Sequence, residues 1–474
     1  MEVDSPWTPP VYDLTNPPQR CTPVGGPFPA GDFPRSAKWC SDGSALLVHC
    51  EQRAFRVIHT PNTAPPAGAS HTQTSFPQPA PIVDYAWYPH ASASTPASFC
   101  FAASVREAPV KLLDASDGRL RASYPIVDHR ERQIAPHSLA FDPSGTRLYC
   151  GFESAIEIFD VSRPGCEGTR VRMSASKKRK DGLKGIISAL SFQPSSSSSP
   201  SSALLAVGSL SSPSSTGGSN IALFSSDLST DPDPVIFLGG GPSAGVTQLL
   251  FNPAHPHILY ASFRRHPGVY AWDIRADGSA PFVRYTLGTD ASAREEKETP
   301  RKETNQRRRF DVDWAGRVLG CGDVNGHISL FDLSHSANPT QMDDSLAEGT
   351  TRQVNPTLTF PAHRDAIGGI AFHPFPNPDP QNINGRCGLV SVCGSRHFDE
   401  YSDDDDSGSA SGSEDDSGGE GEESGVVSGM NKKRGSVRRP LRRRAPRVKE
   451  AGVSWWDLSS PSPSPAQVSP RAAT

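Results

Sequence analysis

Four groups of basic residues stand between the apolar stretches of this chain: Arg130 with Arg132; Lys177, Lys178, Arg179 and Lys180; Arg264 and Arg265 followed by His266; and Arg307, Arg308 and Arg309. Clustered guanidinium and ammonium groups hold phosphate, so clusters brought to one surface would form a track for a nucleic-acid backbone. For any one cluster alone, solvated loop charge is the better account. A run over residues 432–447, opened by Lys432, Lys433 and Arg434, shares with Lys177 to Lys180 the composition of a nuclear-import signal or a nucleic-acid arm, and both readings stay open. Ser402 and Ser413 each precede acidic residues, the context that acid-directed kinases prefer. Phosphorylation there would add roughly 1.5 to 2 negative charges per site and compete with nucleic acid for the neighbouring arginines.

Local catalytic patterns are few. There is no Gly-x-x-x-x-Gly-Lys-Ser phosphate loop and no His-Glu-x-x-His. Gly239, Gly240 and Gly241 are followed by no helical pattern and read as a turn. His363-Arg364-Asp365 has the look of a kinase catalytic loop without its companion motifs, and a histidine ahead of a proline turn in a repeat protein reads better as a link between strands. The nine cysteines form no close Cys-x-x-Cys pair, so Cys40, Cys50, Cys100, Cys150, Cys321 and Cys393 read as buried, reduced thiols. No metal, cofactor or small-molecule substrate is expected, and the chain reads as a non-enzyme.

The elements that must position the basic clusters recur every 50 to 60 residues. A short apolar strand ends in aromatic-x-Pro or Asp-Gly, a second strand rich in small residues follows, and a third closes in aromatic-Asp. Ser138-Leu139-Ala140-Phe141-Asp142-Pro143-Ser144-Gly145, then Leu148-Tyr149-Cys150-Gly151, then Ile156-Glu157-Ile158-Phe159-Asp160 is one copy. Consecutive antiparallel strands of this kind are the content of a propeller blade. Seven copies align over residues 33–398, which predicts an all-β, seven-bladed WD-repeat propeller. The third strand of the seventh copy arrives only with Val453-Ser454-Trp455-Trp456-Asp457. An acidic segment and then a basic one, residues 399–450, separate the two halves of that copy. Opposed charge blocks in a Ser/Gly-rich setting bury too little apolar surface to fold, so this insertion is expected to be disordered, as is the tail over 459–474. Residues 451–458 hold the final strand. Residues 1–32 form an N-terminal segment in which Val11 to Leu14 is the candidate strand for closing the ring. With 46 Pro, 41 Gly and only 35% hydrophobic residues, a helical bundle is disfavoured. No apolar run approaches a bilayer span and no secretory signal is present, which predicts a soluble, intracellular protein.

The blades also carry stretches that a propeller does not demand. Ser36-Ala37-Lys38-Trp39, Val83-Asp84-Tyr85-Ala86-Trp87-Tyr88, Ser104-Val105-Arg106-Glu107-Ala108-Pro109, Ala135-Pro136-His137-Ser138-Leu139, Thr304-Asn305-Gln306-Arg307 ahead of Phe310-Asp311-Val312-Asp313, and Trp455-Trp456 after an acidic insert are among them. In these the chain resembles the telomerase Cajal body protein family over most of residues 33–398 and 452–457. It departs from that family in its Ser-rich loops, its long insert after the fifth copy and its basic arm. The resemblance implies a nuclear, non-catalytic RNA-binding adaptor, located in Cajal bodies, that recognises H/ACA-type small Cajal body RNAs. Its partners would be H/ACA ribonucleoproteins and the telomerase RNA particle, with no membrane involved. The alternative is a WD-repeat protein-interaction scaffold in nuclear RNA processing or pre-mRNA splicing without direct RNA readout. Under the first reading, Arg106, Arg264, Arg265, Arg307 and Arg309 are the candidates for phosphate or base contact, and Tyr88 and His129 for stacking or hydrogen bonding to unpaired bases.

Overall fold

The computed structural model describes residues 9–18, 21–59, 72–174, 182–194, 203–212, 219–226, 228, 232–276, 278–287, 305–334, 351–374, 387–397 and 447–459. Among these every regular element is a strand, and no helix is long and apolar enough to cross a membrane. The strands form seven sheets, the blades of a propeller. Blade one is Pro34–Trp39, Ala45–Cys50, Ala54–His59 and Gln73–Pro77, from channel to periphery. Blades two to five repeat the order, opening on Ile82–Trp87, Ser138–Phe141, Ile187–Phe192 and Val246–Phe251, and blades six and seven open on Asp311–Val312 and Ile367–Phe372.

Side chains of successive strand residues point to opposite faces, and each middle strand lies between two neighbouring blades, so both of its faces must be apolar. In Ala45–Cys50 all six residues are buried. Leu46 and Val48 pack with Val390 and Val392 of blade seven, whereas Leu47 packs with Phe101 of blade two. Each of the seven junctions owns one such apolar cluster. Buried thiols fill parts of them, Cys40 against blade two and Cys150 between blades two and three, and burial pushes the Cys40 thiol up to about 12.

Polar links run beside these clusters near the channel. Ser138 Oγ donates to the Ile187 carbonyl, Ser188 Oγ to the Val246 carbonyl and Gln248 Nε2 to the Phe310 carbonyl. The Phe372 N–H donates to Asp311, and Trp39 Nε1 donates to the Ala371 carbonyl, closing the circle. Five of the inner strands carry a register shift at their second residue. Such a bulge re-aims the side chains beside it and strengthens the local twist, which suits strands that converge on an axis.

Three features differ from the sequence expectations. The ring is closed by Cys21–Pro23, antiparallel to Gly452–Asp457, and not by Val11 to Leu14. The latter stretch is not a strand: Tyr12 and Leu14 pack on the cluster between blades six and seven, and the Asp13 N–H reaches the Leu458 carbonyl. Its alternation of apolar and polar residues serves packing instead of pairing. Blade five has a fifth strand, Arg352–Val354, which leaves the chain between the third and outer strands of blade six and pairs in parallel with Val283–Thr286. Lastly, Lys449 and Glu450, assigned above to the insertion, are hydrogen-bonded to Asp365 and to His363 and Arg364. A return stem needs backbone and side-chain partners even when the chain beyond it is charged.

Residues 396–447 form a second, small unit. Of this unit Arg396, His397 and Arg447 are described, and His397 and Arg447 exchange two backbone hydrogen bonds across an antiparallel bridge. Lys177, Lys178, Arg179, Lys180, Ser402, Ser413, Lys432, Lys433 and Arg434 lie outside the described residues.

Candidate nucleic-acid interface

All inner strands run in one direction, so the loops after second strands and the loops entering the next blade share one rim. The loop after Ile258–Phe263 carries Arg264 and Arg265, and the segment entering blade six carries Arg307 and Arg309; together they enclose a cavity of about 240 Å³. That is below the ~300 to 1,000 Å³ typical of sites for drug-sized ligands, and suits a single phosphate or base. Thr247, beside the bulge of blade five, and Phe310 also line it.

The arginines are not equivalent. Arg264 Nη2 and Arg265 Nε both donate to Asn305 Oδ1, at 3.1 and 2.8 Å, which holds two cations side by side. Arg265 keeps a φ of 58°, a left-handed conformation that costs a non-glycine residue about 1 kcal/mol or more, and such strain tends to concentrate at functional sites. Arg309 is committed: its Nη2 lies 3.2 Å from Asp84 Oδ1 in blade two, an ion pair that crosses the channel. Arg307 forms no hydrogen bond and no ion pair among the described residues, although it is half-buried. Burial, then repulsion from Arg309, Arg35 and Arg264, lowers its pKa against the pull of Asp84.

Charge continues into the channel. Lys38 Nζ donates to the Tyr85 carbonyl at 2.6 Å and sits 4.5 Å from the centre of the Tyr85 ring; burial lowers it to about 8, with Asp84 opposing. Burial alone would raise the Asp84 carboxyl, but Lys38, Arg309 and Arg307 together with the Leu139 N–H hold it below the usual carboxylate range. His137 is lowered by burial and by Arg307 and Arg106, which places the exposed Arg106 of blade two in the same electrostatic neighbourhood.

The structure thus gathers Arg264, Arg265, Arg307 and Arg309 into one cavity, with Arg106 across the channel mouth. His129 is exposed on the loop entering blade three, on this rim but outside the cavity. Tyr88 is elsewhere. It follows the inner strand of blade two, on the opposite rim, where its ring packs edge-on against Phe141 at 5.6 Å and over Gly145. Asp84 and Asn305, which decide how free each arginine is, went unrecognised in the sequence. Their signal is only their place in Val83-Asp84-Tyr85 and Thr304-Asn305-Gln306-Arg307.

His363 is a strand link. Its Nε2 lies 2.7 Å from Ser391 Oγ, which also accepts from Trp456 Nε1, and its Nδ1 lies 3.0 Å from Glu450 Oε1. Ligand atoms of His363, Cys393 and Glu450 lie within 4.8 Å of one another. Both imidazole nitrogens are already occupied, and burial beside Glu450 pushes the Cys393 thiol up, away from the thiolate a metal would need.

No family model matches the chain. It is similar to Telomerase Cajal body protein 1 of Mesocricetus auratus, 30% identical over 390 residues that cover 76% of this chain and 63% of that protein. The Telomerase Cajal body protein 1 homolog of Drosophila melanogaster is 26% identical over 359 residues, 73% of this chain and 55% of that protein. Guanine nucleotide-binding protein negative regulator 1 of Schizosaccharomyces pombe is 28% identical over 343 residues, 69% of this chain and 77% of that protein. The chain spans a little under two thirds of the length of the mammalian relatives. None of these names indicates an enzyme family. With seven WD-type blades and this similarity across three quarters of its length, the chain is a divergent relative of the telomerase Cajal body protein family.

Proposed function

We propose that this protein is a non-catalytic, nuclear RNA-binding adaptor of small ribonucleoprotein biogenesis. It takes H/ACA-type small Cajal body RNAs, the telomerase RNA particle among its clients, through the arginine-lined cavity between blades five and six. The observation that carries the reading is Arg307: a half-buried guanidinium with no hydrogen bond or ion pair among the described residues, facing the Arg264 and Arg265 pair. Leaving such a group unpaired is costly, and a phosphate oxygen supplies what it lacks. Unpaired RNA offers phosphates and splayed bases to rim loops of this kind, and a cavity of this size admits one nucleotide at a time. The names of the mammalian and insect relatives support Cajal body residence and a telomerase client.

A second reading, a protein-interaction scaffold, is favoured by the name of the fission-yeast relative, which implies a protein partner. Ultraviolet crosslinking of the nuclear protein to RNA separates the two. Crosslinked peptides bearing Arg264 or Arg307 are expected under the first; recovery only from residues 432–447 favours the scaffold.

A further inference from the structure

On the rim opposite the arginines, the turns of blades five and six meet around a second cavity, of about 640 Å³, inside the size range of small-ligand sites. The turn of blade six is Asp313-Trp314-Ala315-Gly316. Its counterpart in blade three is Asp142-Pro143-Ser144-Gly145, and in both the glycine N–H returns to the aspartate carbonyl. Proline suits the second place of such a turn because its φ is already set. The backbone of the turn is held by Asp313, whose carboxylate accepts the N–H groups of Ala315, Arg317 and Val318. Trp314 is 48% exposed, which leaves part of its indole open to solvent at the mouth of the central channel.

The surroundings are rigid and basic. Asn252 of blade five donates to the Gly316 carbonyl, accepts from the Ala254 and His255 N–H groups, and leaves no room for a side chain at position 316. The two turns are therefore locked together. His255 and His257 stand edge-to-face at 6.0 Å, and His255 Nδ1 is buried without a hydrogen-bond partner among the described residues. Arg317 is exposed and forms neither a side-chain hydrogen bond nor an ion pair among the described residues. The carboxylates nearby are engaged: Asp273 with Arg275, Asp313 within its own turn, and Asp332 with the Ser334 N–H. An aromatic face, two imidazole edges and an exposed guanidinium, attracted by the Asp313 carboxylate but making no ion pair with it, are on a fixed frame what a stacked base and its phosphate need.

We infer that the cavity between the blade-five and blade-six turns binds an unpaired nucleotide, with its base on Trp314, its edge toward His255 and His257, and its phosphate at Arg317. The site is independent of the Arg307 cavity, which opens on the other rim. The test is fluorescence polarisation of a short labelled oligouridylate against the full chain and its Trp314→Ala, Trp314→Phe, Arg317→Gln and Arg307→Gln variants, with thermal unfolding as the folding control. Removing one stacking platform weakens binding by about 5- to 150-fold, so that loss is expected for Trp314→Ala, with most of the affinity retained by Trp314→Phe. Arg317→Gln should flatten the salt dependence by about 0.7 in logarithmic slope, one phosphate contact. Displacement of the label by UMP assigns the site to free nucleotides, and displacement by oligomer alone assigns it to an RNA strand; either supports the inference. Full affinity in Trp314→Ala and Arg317→Gln overturns it, as does a Trp314-dependent affinity for polyglutamate with none for nucleotide. Loss in Arg307→Gln alone overturns this site and leaves the first cavity standing; loss in the Trp314 and Arg317 variants alone does the reverse.

Discussion

Asp84 is the carboxylate on which the arrangement of cations turns, and replacing it by asparagine tests that arrangement. The amide keeps an acceptor for the Leu139 N–H, now 2.9 Å from Asp84 Oδ2, so the change removes charge and little else. Arg309 then loses its partner across the channel, and Lys38 and Arg307 lose the anion that offsets the repulsion each meets from Arg309. Breaking a buried ion pair by deleting one partner costs about 3 to 5 kcal/mol. Because the Arg309 side chain retains 22% exposure, water screens part of the loss and the low end, about 3 kcal/mol, is expected. Urea unfolding at neutral pH reads this as a lower midpoint with an unchanged slope. The pH dependence follows from the depressed folded-state pKa: the stabilisation is present above the carboxyl's unfolded value and is lost as pH falls through the folded one, so wild type and variant should converge in acid. The same variant frees Arg309 for phosphate, so its RNA affinity should rise while its stability falls. A variant as stable as wild type, or one that loses both stability and RNA affinity, would refute the view that Asp84 restrains cations at the binding rim.

Other perturbations probe separate parts of the molecule. Ser391→Ala leaves His363 Nε2 and Trp456 Nε1 without their shared buried partner, and should lower stability by about 1 to 3 kcal/mol in urea unfolding. Burial raises Asp311 to about 7 against the pull of the Phe372 and Val312 N–H groups, so its contribution favours the fold in acid and is lost as pH rises toward that value. Asp311→Asn should therefore stabilise the protein at pH above about 7, by on the order of 4 kcal/mol, and do little near pH 4, as a melting series would show. Gly145 sits at a φ of 73° and an added methyl would lie 2.8 Å from the Tyr88 ring, so Gly145→Ala should cost at least about 1 kcal/mol in the same assay.

The blades were legible in the sequence because each repeat declares itself locally: apolar alternation, a turn with Pro or Asp-Gly, and a closing aromatic-Asp. What was not legible depends on contacts between distant residues. Cys21–Pro23 is three exposed residues with no alternation, and only the free edge of Gly452–Asp457 makes them a strand. Arg352–Val354 pairs with another blade's outer strand, a choice that no local pattern records. The basic clusters were visible as composition. Yet Arg309, paired with Asp84, and Arg307, with no hydrogen bond or ion pair among the described residues, differ only through a residue more than 220 positions away. Tyr88 was read as a stacking candidate from its type, whereas its place at the end of an inner strand sends it to the other rim. Glu450 looked like the end of a charged insertion because its partners, His363 and Arg364, lie on the far side of that insertion and precede Glu450 by 86 residues or more.

The most direct measurement is the salt dependence of binding between the purified full chain and the terminal loop of an H/ACA-type guide RNA, with wild type and Arg307→Gln compared across a sodium chloride series. A guanidinium that meets a phosphate should weaken binding severalfold when neutralised and lower the logarithmic slope by about 0.7. Equal affinities and parallel slopes would mean that the arginine-lined cavity does not hold RNA.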